Sequence, residues 1–193
     1  GEIAITALKN LASQRDAIAA ALALYDKRPF AVPDIGSQSA WLKAASHHAR
    51  NLYVSGPMGL ASSVALGLAA CRPNDEVLAL CGDGALAMNL SSLATIAGAK
   101  QKNLAVLVLD NGIYEYTASV PTPTRDLDWL AVGRAIFGAG SCFNLSDLTA
   151  DRWKTVPGPR MIIADIAPST EKTPLLGMSP AQIRAVFLEA SKA

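Results

Sequence analysis

Leu104–Leu109 reads LAVLVL and runs directly into Asp110-Asn111-Gly112. Six apolar residues without a polar break offer no face to water. Such a segment forms a strand covered on both sides, the kind found in parallel sheets. Parallel neighbours need long crossover connections, usually helices. The rest of the chain has that alternation. Further strands are expected at Phe30–Val32, Asn51–Val54, Glu76–Cys81, Ser141–Leu145 and Met161–Ile166. Helices are expected at Glu2–Leu24, Ser39–His47, Leu60–Cys71, Leu86–Ala99, Leu127–Phe137, Asp147–Lys154 and Ser179–Ser191. The first rests on Ile5, Leu8, Ala12, Ala19 and Leu22, which recur at three- and four-residue steps. The expected fold class is α/β: a three-layer α/β/α sandwich around a mainly parallel central sheet. A single domain is expected over residues 1–193.

Composition removes several classes of function. With 51% hydrophobic and 17% charged residues the chain is not disordered. Much of the hydrophobic share is alanine, 35 residues. No apolar run reaches the ~18–20 residues of a membrane span, and the best candidate, Val64–Cys71, is far shorter. The 17 Lys and Arg against 16 Asp and Glu leave no electrostatic footprint for nucleic acid or an anionic membrane. Cys71, Cys81 and Cys142 are scattered and lack CxxC spacing, which argues against a disulfide framework, zinc or iron–sulfur. Three buried thiols are expected. With no signal-peptide pattern in the first residues, a cytoplasmic location is expected.

In open α/β sheets, ligands bind at the carboxyl ends of the strands. Three glycine-bearing turns lie there: Ser55–Gly59, Gly82–Gly84 and Asn111–Gly112. In Gly82-Asp83-Gly84 the glycines let a ligand approach the backbone, and the following helix presents free N–H groups, which suits phosphate oxygens. The acid between them would need a divalent cation to bridge it to phosphate. Alone, the same three residues also read as a strand-to-helix turn capped by Asp83. Asn111 stands 28 residues on, at the end of the next strand, with a neutral oxygen suited to Mg²⁺.

A GDG turn, a helix, a buried strand and an Asn-Gly pair make up a recognisable signature. The segment Gly82–Thr117 (GDGALAMNLSSLATIAGAKQKNLAVLVLDNGIYEYT) resembles the thiamine diphosphate-dependent decarboxylase family. The family's first Asn of the pair is Asp110 here, and the metal ligand, Asn111, is kept. The resemblance implies thiamine diphosphate and Mg²⁺ as cofactors. Asp83, Asn111 and the backbone carbonyl of Ile113 would ligate the metal. Gly82 and Tyr114 would border the cofactor, and the N–H groups of Gly84 and Ala85 would face its diphosphate. Gly56-Pro57-Met58-Gly59 resembles the family's Gly-Ser-Met-Gly turn, and Met58 lies 25 residues before Asp83. There the apolar side chain bends the cofactor, while the Gly56 carbonyl and the Met58 N–H bind its pyrimidine. Without that spacing, Met58 would read as a core methionine. Ser37, in Asp34-Ile35-Gly36-Ser37, stands where the family has a turn touching the diphosphate; an ordinary turn fits as well.

GPMGLAS, SLATIAG and NGIYEYT are most similar to the sulfopyruvate and phosphonopyruvate decarboxylase group. Ala118-Ser119-Val120 replaces that group's Gly-Gly-Gln. Thr117 stands where pyruvate decarboxylases carry a catalytic Glu, so a role at the reacting end passes to Thr117 and simple pyruvate decarboxylation is disfavoured. Glu115 reads either as a site acid or as a surface acid, and Tyr114 as packing. His47 and His48 read as a solvated helix end. Lys43, Arg50 and Arg125 are candidates to hold a sulfonate or phosphonate. The family also needs a Glu from a separate pyrimidine-binding domain, which this sequence lacks. The resemblance therefore implies the diphosphate- and Mg²⁺-binding subunit of a split 2-oxo acid decarboxylase. Its partner would be a second subunit, in a hetero-oligomer of α2β2 form or larger. A carboligase subunit of acetolactate synthase type and a non-catalytic assembly subunit stand as alternatives.

Overall fold

A computed structural model describes residues 13–192. Five parallel strands form one sheet in the order β1-β2-β3-β7-β6. They are β1 (Phe30–Pro33), β2 (Val77–Gly82), β3 (Leu104–Asp110), β6 (Cys142–Asn144) and β7 (Arg160–Asp165). The short β4 (Ile113–Tyr114) and β5 (Val120–Pro121) pair antiparallel outside the sheet. LAVLVL is the central strand and is buried throughout.

Side-chain alternation along the strands divides the interior into two cores. Leu78, Leu80, Leu107 and Ile162 face one side, against α1 (Gln14–Leu22), α2 (Ser37–Ser46) and α7 (Ala150–Thr155). Val77, Cys81, Val106 and Ile163 face the other, against α3 (Ala61–Cys71), α4 (Asp83–Met88), α5 (Ser91–Ala99) and α6 (Trp129–Phe137). The C-terminal helix α8 (Pro180–Ala190) starts with a capping box between Ser179 and Gln182. The result is the expected three-layer α/β/α arrangement. Among the described residues, no helix is long and apolar enough to cross a membrane.

Several expectations need correction. Of the helix expected at Glu2–Leu24, residues 2–12 lie outside the described residues. The remainder is α1, which starts where the Ser13 hydroxyl accepts from the Asp16 N–H. The strand expected at Asn51–Val54 is a single bridge, Asn51 to Ala31. Pro33 on the facing β1 has no N–H to give, so the ladder cannot extend. The helix expected at Leu86–Ala99 is two helices, α4 and α5, broken at Asn89 and Leu90. Asn89 leaves helical geometry (φ −136°, ψ 46°) and its amide donates to the Gly59 carbonyl at 2.9 Å. The helix expected at Asp147–Lys154 begins at Ala150, because Thr149 caps it. Cys81 and Cys142 are buried, but Cys71, at the end of α3, is exposed.

Candidate cofactor-binding site

The register places the site. Gly82 at the end of β2 pairs with Leu109 of β3, so Asp83 and Asp110 leave the sheet side by side. Asp110 in turn pairs with Asp165 of β7. Three acidic residues therefore converge at the carboxyl edge. Burial and the neighbouring Asp83 push the Asp110 carboxyl up to about 6.

Asp83 is not in a loop; it opens α4 and is buried. Its Oδ2 accepts the hydroxyl hydrogens of Thr122 at 2.6 Å and Thr124 at 3.3 Å. Thr122 also donates its N–H to the Gly112 carbonyl. The β4–β5 hairpin thereby folds back over the start of α4. A Cβ on Gly84 would lie under 3.0 Å from the Tyr114 ring and 2.8 Å from the Thr122 methyl. Only glycine fits there, and its backbone stays open to a ligand.

The Asn111 side chain is fixed at both ends. Its Oδ1 accepts from the Ile113 N–H at 3.1 Å, and its Nδ2 donates to Glu115 Oε2 at 2.6 Å. The other oxygen, Glu115 Oε1, is buried without a partner among the described residues.

Asp34, at the end of β1, is fully buried. Its carboxylate accepts the Gly59 N–H at 3.0 and 3.2 Å. Burial raises the Asp34 carboxyl above the usual carboxylate range, and backbone N–H groups at Gly59, Ile35, Ala61 and Leu60 oppose that rise. Gly56 and Gly59 take left-handed φ of +144° and +84° in the turn between them. Met58 sits in that turn, 36% exposed.

These features surround one cavity of about 380 Å³, within the range of small-molecule sites. Ser37 reaches it from the start of α2, and Gly56 and Met58 from the turn before α3. Gly82, Asp83, Gly84 and Ala85 line it from the β2–α4 junction. Asn111, Ile113, Tyr114, Glu115 and Thr117 close it from the segment after β3. These twelve of the residues singled out in the sequence thus line the same cavity. Glu115 faces it and is no surface acid. The Thr117 hydroxyl reaches only the Tyr114 carbonyl, at 3.5 Å.

Other candidates lie elsewhere. His47 and His48 are exposed at the end of α2, with His47 Nδ1 2.9 Å from the Tyr53 hydroxyl. Arg50 is at the opposite end of the sheet, paired with Asp75 at 2.9 Å and stacked over the Phe30 ring. Lys43 donates to the Leu176 carbonyl. Arg125 alone of the three cations lies beside the cavity, its side chain packed on Gly112. Sequence reasoning missed Thr122, Thr124, Gln38, whose amide lies against Gly82, and the inward turn of Asp34. The two threonines flank Pro123 in a stretch that reads only as loop.

Comparison with known proteins gives the family of the chain. Residues 34–131 match the family model described as "Thiamine pyrophosphate enzyme, C-terminal TPP binding domain"; thiamine pyrophosphate and thiamine diphosphate are one compound. The chain is 33% identical over 165 residues to sulfopyruvate decarboxylase subunit beta of Methanococcus maripaludis, covering 83% of this chain and 88% of that one. It is 34% identical over 144 residues to phosphonopyruvate decarboxylase of Streptomyces viridochromogenes, covering 72% of this chain but 36% of that longer one. A solved structure from Mycobacterium smegmatis, described as that of "a putative thiamin diphosphate-dependent enzyme", superposes with a TM-score of 0.61 over 82% of this chain and 32% of that one. At 20% identity, that likeness speaks for the fold alone. The match over half the chain, and the relative from Methanococcus maripaludis above 30% identity and covered to 88%, place this chain in the thiamine pyrophosphate enzymes, within their decarboxylase family.

Proposed function

We propose that this chain is the diphosphate- and Mg²⁺-binding subunit of a split thiamine diphosphate-dependent decarboxylase for 2-oxo acids bearing a sulfonate or phosphonate. The observation that carries this reading is the convergence on one cavity of the Met58 turn, Asp83 and the Asn111–Glu115 segment. The cavity also has the electrostatics for a bridging cation. Asp83 and Glu115 line it, with no Lys or Arg ion pair to either among the described residues. No group of three His, Cys, Asp or Glu among the described residues could hold a metal alone. A Mg²⁺ here would draw on Asp83, the neutral oxygens of Asn111 and Ile113, and the diphosphate itself.

When bound, thiamine diphosphate supplies a thiazolium carbon that attacks 2-oxo acids and an electron sink for loss of CO₂. The chain's own part is positioning. The N–H groups of Gly84, which has no side chain of its own and packs against Tyr114 and Thr122, and of Ala85 would bind the diphosphate. Met58 would present an apolar wedge to the bound cofactor, and the Gly56 carbonyl would accept from its pyrimidine amino group. Tyr114 and Thr117 line the cavity after β3.

The single glutamate lining the cavity, Glu115, is engaged by Asn111, so the pyrimidine-activating Glu is assigned to a partner subunit. Ile35, Met58 and Tyr116 are exposed apolar side chains lining the cavity; exposed Leu60 follows Met58 by two residues, and exposed Met88 and Leu90 flank Asn89, whose amide bonds the Gly59 carbonyl. Clustered exposed apolar side chains of this kind mark association surfaces. The relative from Methanococcus maripaludis carries the name of a beta subunit, which fits a two-chain enzyme.

The test is reconstitution with the product of a neighbouring reading frame encoding a similar-sized α/β protein. Sulfopyruvate and phosphonopyruvate are supplied with thiamine diphosphate and Mg²⁺, and CO₂ release is measured. Activity is expected only with both chains present. Decarboxylation by this chain alone would overturn the split arrangement. A condensation product formed when an aldehyde acceptor is added would favour a carboligase.

A further inference from the structure

We propose that Asp34 is the positioning residue of the site: its buried carboxylate sets the turn that carries Met58. The inference rests on the reading of the cavity as a thiamine diphosphate site.

Asp34 is anchored before it reaches the turn. Its N–H donates to the Leu80 carbonyl of β2 at 2.8 Å, and its carbonyl accepts from the Ser39 hydroxyl at 2.7 Å. The backbone of Asp34 is thus tied to the sheet and to α2. From there the carboxylate crosses 25 residues of sequence to grip the Gly59 N–H with both oxygens. It also takes the Ile35 N–H at 3.2 Å. The backbone N–H groups of Leu60 and Ala61, at the start of α3, also favour its charged form. A buried carboxylate among the free N–H groups of a helix start is compensated by those donors and by the helix dipole.

The turn is held from the opposite side as well. The Asn89 amide donates to the Gly59 carbonyl at 2.9 Å and to the Ser63 hydroxyl at 3.2 Å. That contact accompanies the break between α4 and α5. Gly59 is therefore fixed at both its N–H and its carbonyl. It also cannot carry a side chain, since a Cβ would lie 2.7 Å from the Ala85 carbonyl oxygen.

Met58 directly precedes Gly59 in the same turn, and its side chain is 36% exposed. The place of the wedge therefore follows that of Gly59. Asp34 thereby acts on the cofactor through Met58 without touching it.

Two measurements test this. In the chain itself, backbone hydrogen exchange is compared for the wild type, Asp34→Asn, Asp34→Ala and Asn89→Ala. The Asp34 variants are expected to speed exchange at Gly59, Leu60 and Ala61 by roughly tenfold or more, the loss of about one charge-assisted hydrogen bond, while β2 and β3 stay protected. In the complex with the partner subunit, loaded with thiamine diphosphate and Mg²⁺, the cofactor's C2 proton exchange is followed by NMR. Asp34→Asn is expected to slow it by roughly tenfold with cofactor affinity little changed. A purely structural role would lower affinity and exchange together.

Unchanged protection at residues 59–61, or unchanged C2 exchange in Asp34→Asn, would overturn the proposal. If the wild-type complex binds no thiamine diphosphate, the reading of the site fails, and the role of Asp34 toward a cofactor falls with it. The amide measurement still decides whether Asp34 holds the turn. Should Asp34→Ala not fold, Asp34→Asn and the half-exposed Asn89→Ala carry the same comparison.

Discussion

The Thr122 hydroxyl donates to Asp83 Oδ2 at 2.6 Å, across 39 residues of sequence. This bond joins the β4–β5 hairpin to the first turn of α4, and both elements line or cover the cavity. It also leaves Asp83 oriented before any ligand arrives. Hydrogen bonds to charged groups contribute about 1.5–3 kcal/mol. Thr122→Val keeps the shape and removes the donor. Cofactor affinity in the assembled complex is expected to fall by roughly ten- to a hundredfold, read by titration of thiamine diphosphate at fixed Mg²⁺. Asp83→Ala is expected to abolish Mg²⁺-dependent binding altogether. Retention of Mg²⁺-dependent binding by Asp83→Ala would remove Asp83 from the metal site.

Gly84→Ala tests the steric account of the cradle. The added methyl must displace the Tyr114 ring and the Thr122 side chain. Overpacking of this kind costs about 1–3 kcal/mol, so thermal stability should drop. Cofactor affinity should fall with it. Tyr114→Ala in the same chain removes the clashing ring and is expected to restore stability in part. A Gly84→Ala protein as stable as the wild type would contradict the packing described here.

Glu115 orients Asn111 through the 2.6 Å bond from its amide nitrogen, which leaves the amide oxygen on the other side. Glu115→Ala frees the amide to rotate. The concentration of Mg²⁺ that half-saturates cofactor binding is expected to rise by roughly tenfold. Glu115→Gln, which can still accept from Asn111, should lie between the two. Equal values for Ala and wild type would show that Asn111 needs no such support.

The cysteines give a test that needs no cofactor. Cys71 is exposed, whereas burial pushes Cys142 up to about 11 and Cys81 also well above its ordinary value. At pH 8 one thiol per chain should react rapidly with an aromatic disulfide reagent, and three after unfolding. The raised values also set a direction for stability. Between the ordinary thiol pKa of about 8.5 and the folded value, the native chain holds protons that the unfolded chain has lost. Stability should therefore decline as pH rises above about 8.5. The slope should shrink in Cys142→Ala, measured by urea unfolding.

The parts of the fold that read directly from sequence are those where burial leaves no choice. LAVLVL, EVLALC and MIIADI are strands within a residue or two of expectation, because an unbroken apolar run has no other stable place. The shared cavity lining read as well, because glycines, Asp83 and Asn111 stand at strand ends, and their spacing is the length of one crossover. Polar residues that act at a distance did not read. Asn89 looked helical, since nothing in its neighbourhood announces that its amide bonds the Gly59 carbonyl. Arg50 looked available to a substrate until the fold placed it against Asp75 at the far end of β1.

The pattern of apolar runs and glycine turns by itself determined the α/β class, the direction of the strands and the edge at which a ligand would lie. Those follow from period and burial, which are local properties of the chain. Only the tertiary structure decided which polar groups hold that edge in place. Asp34 grips Gly59, Thr122 grips Asp83 and Glu115 grips Asn111. Where the partners stand 25 or 39 residues apart, as in the first two, the bond depends on how the chain returns to the same strand ends, and no sequence window contains both groups.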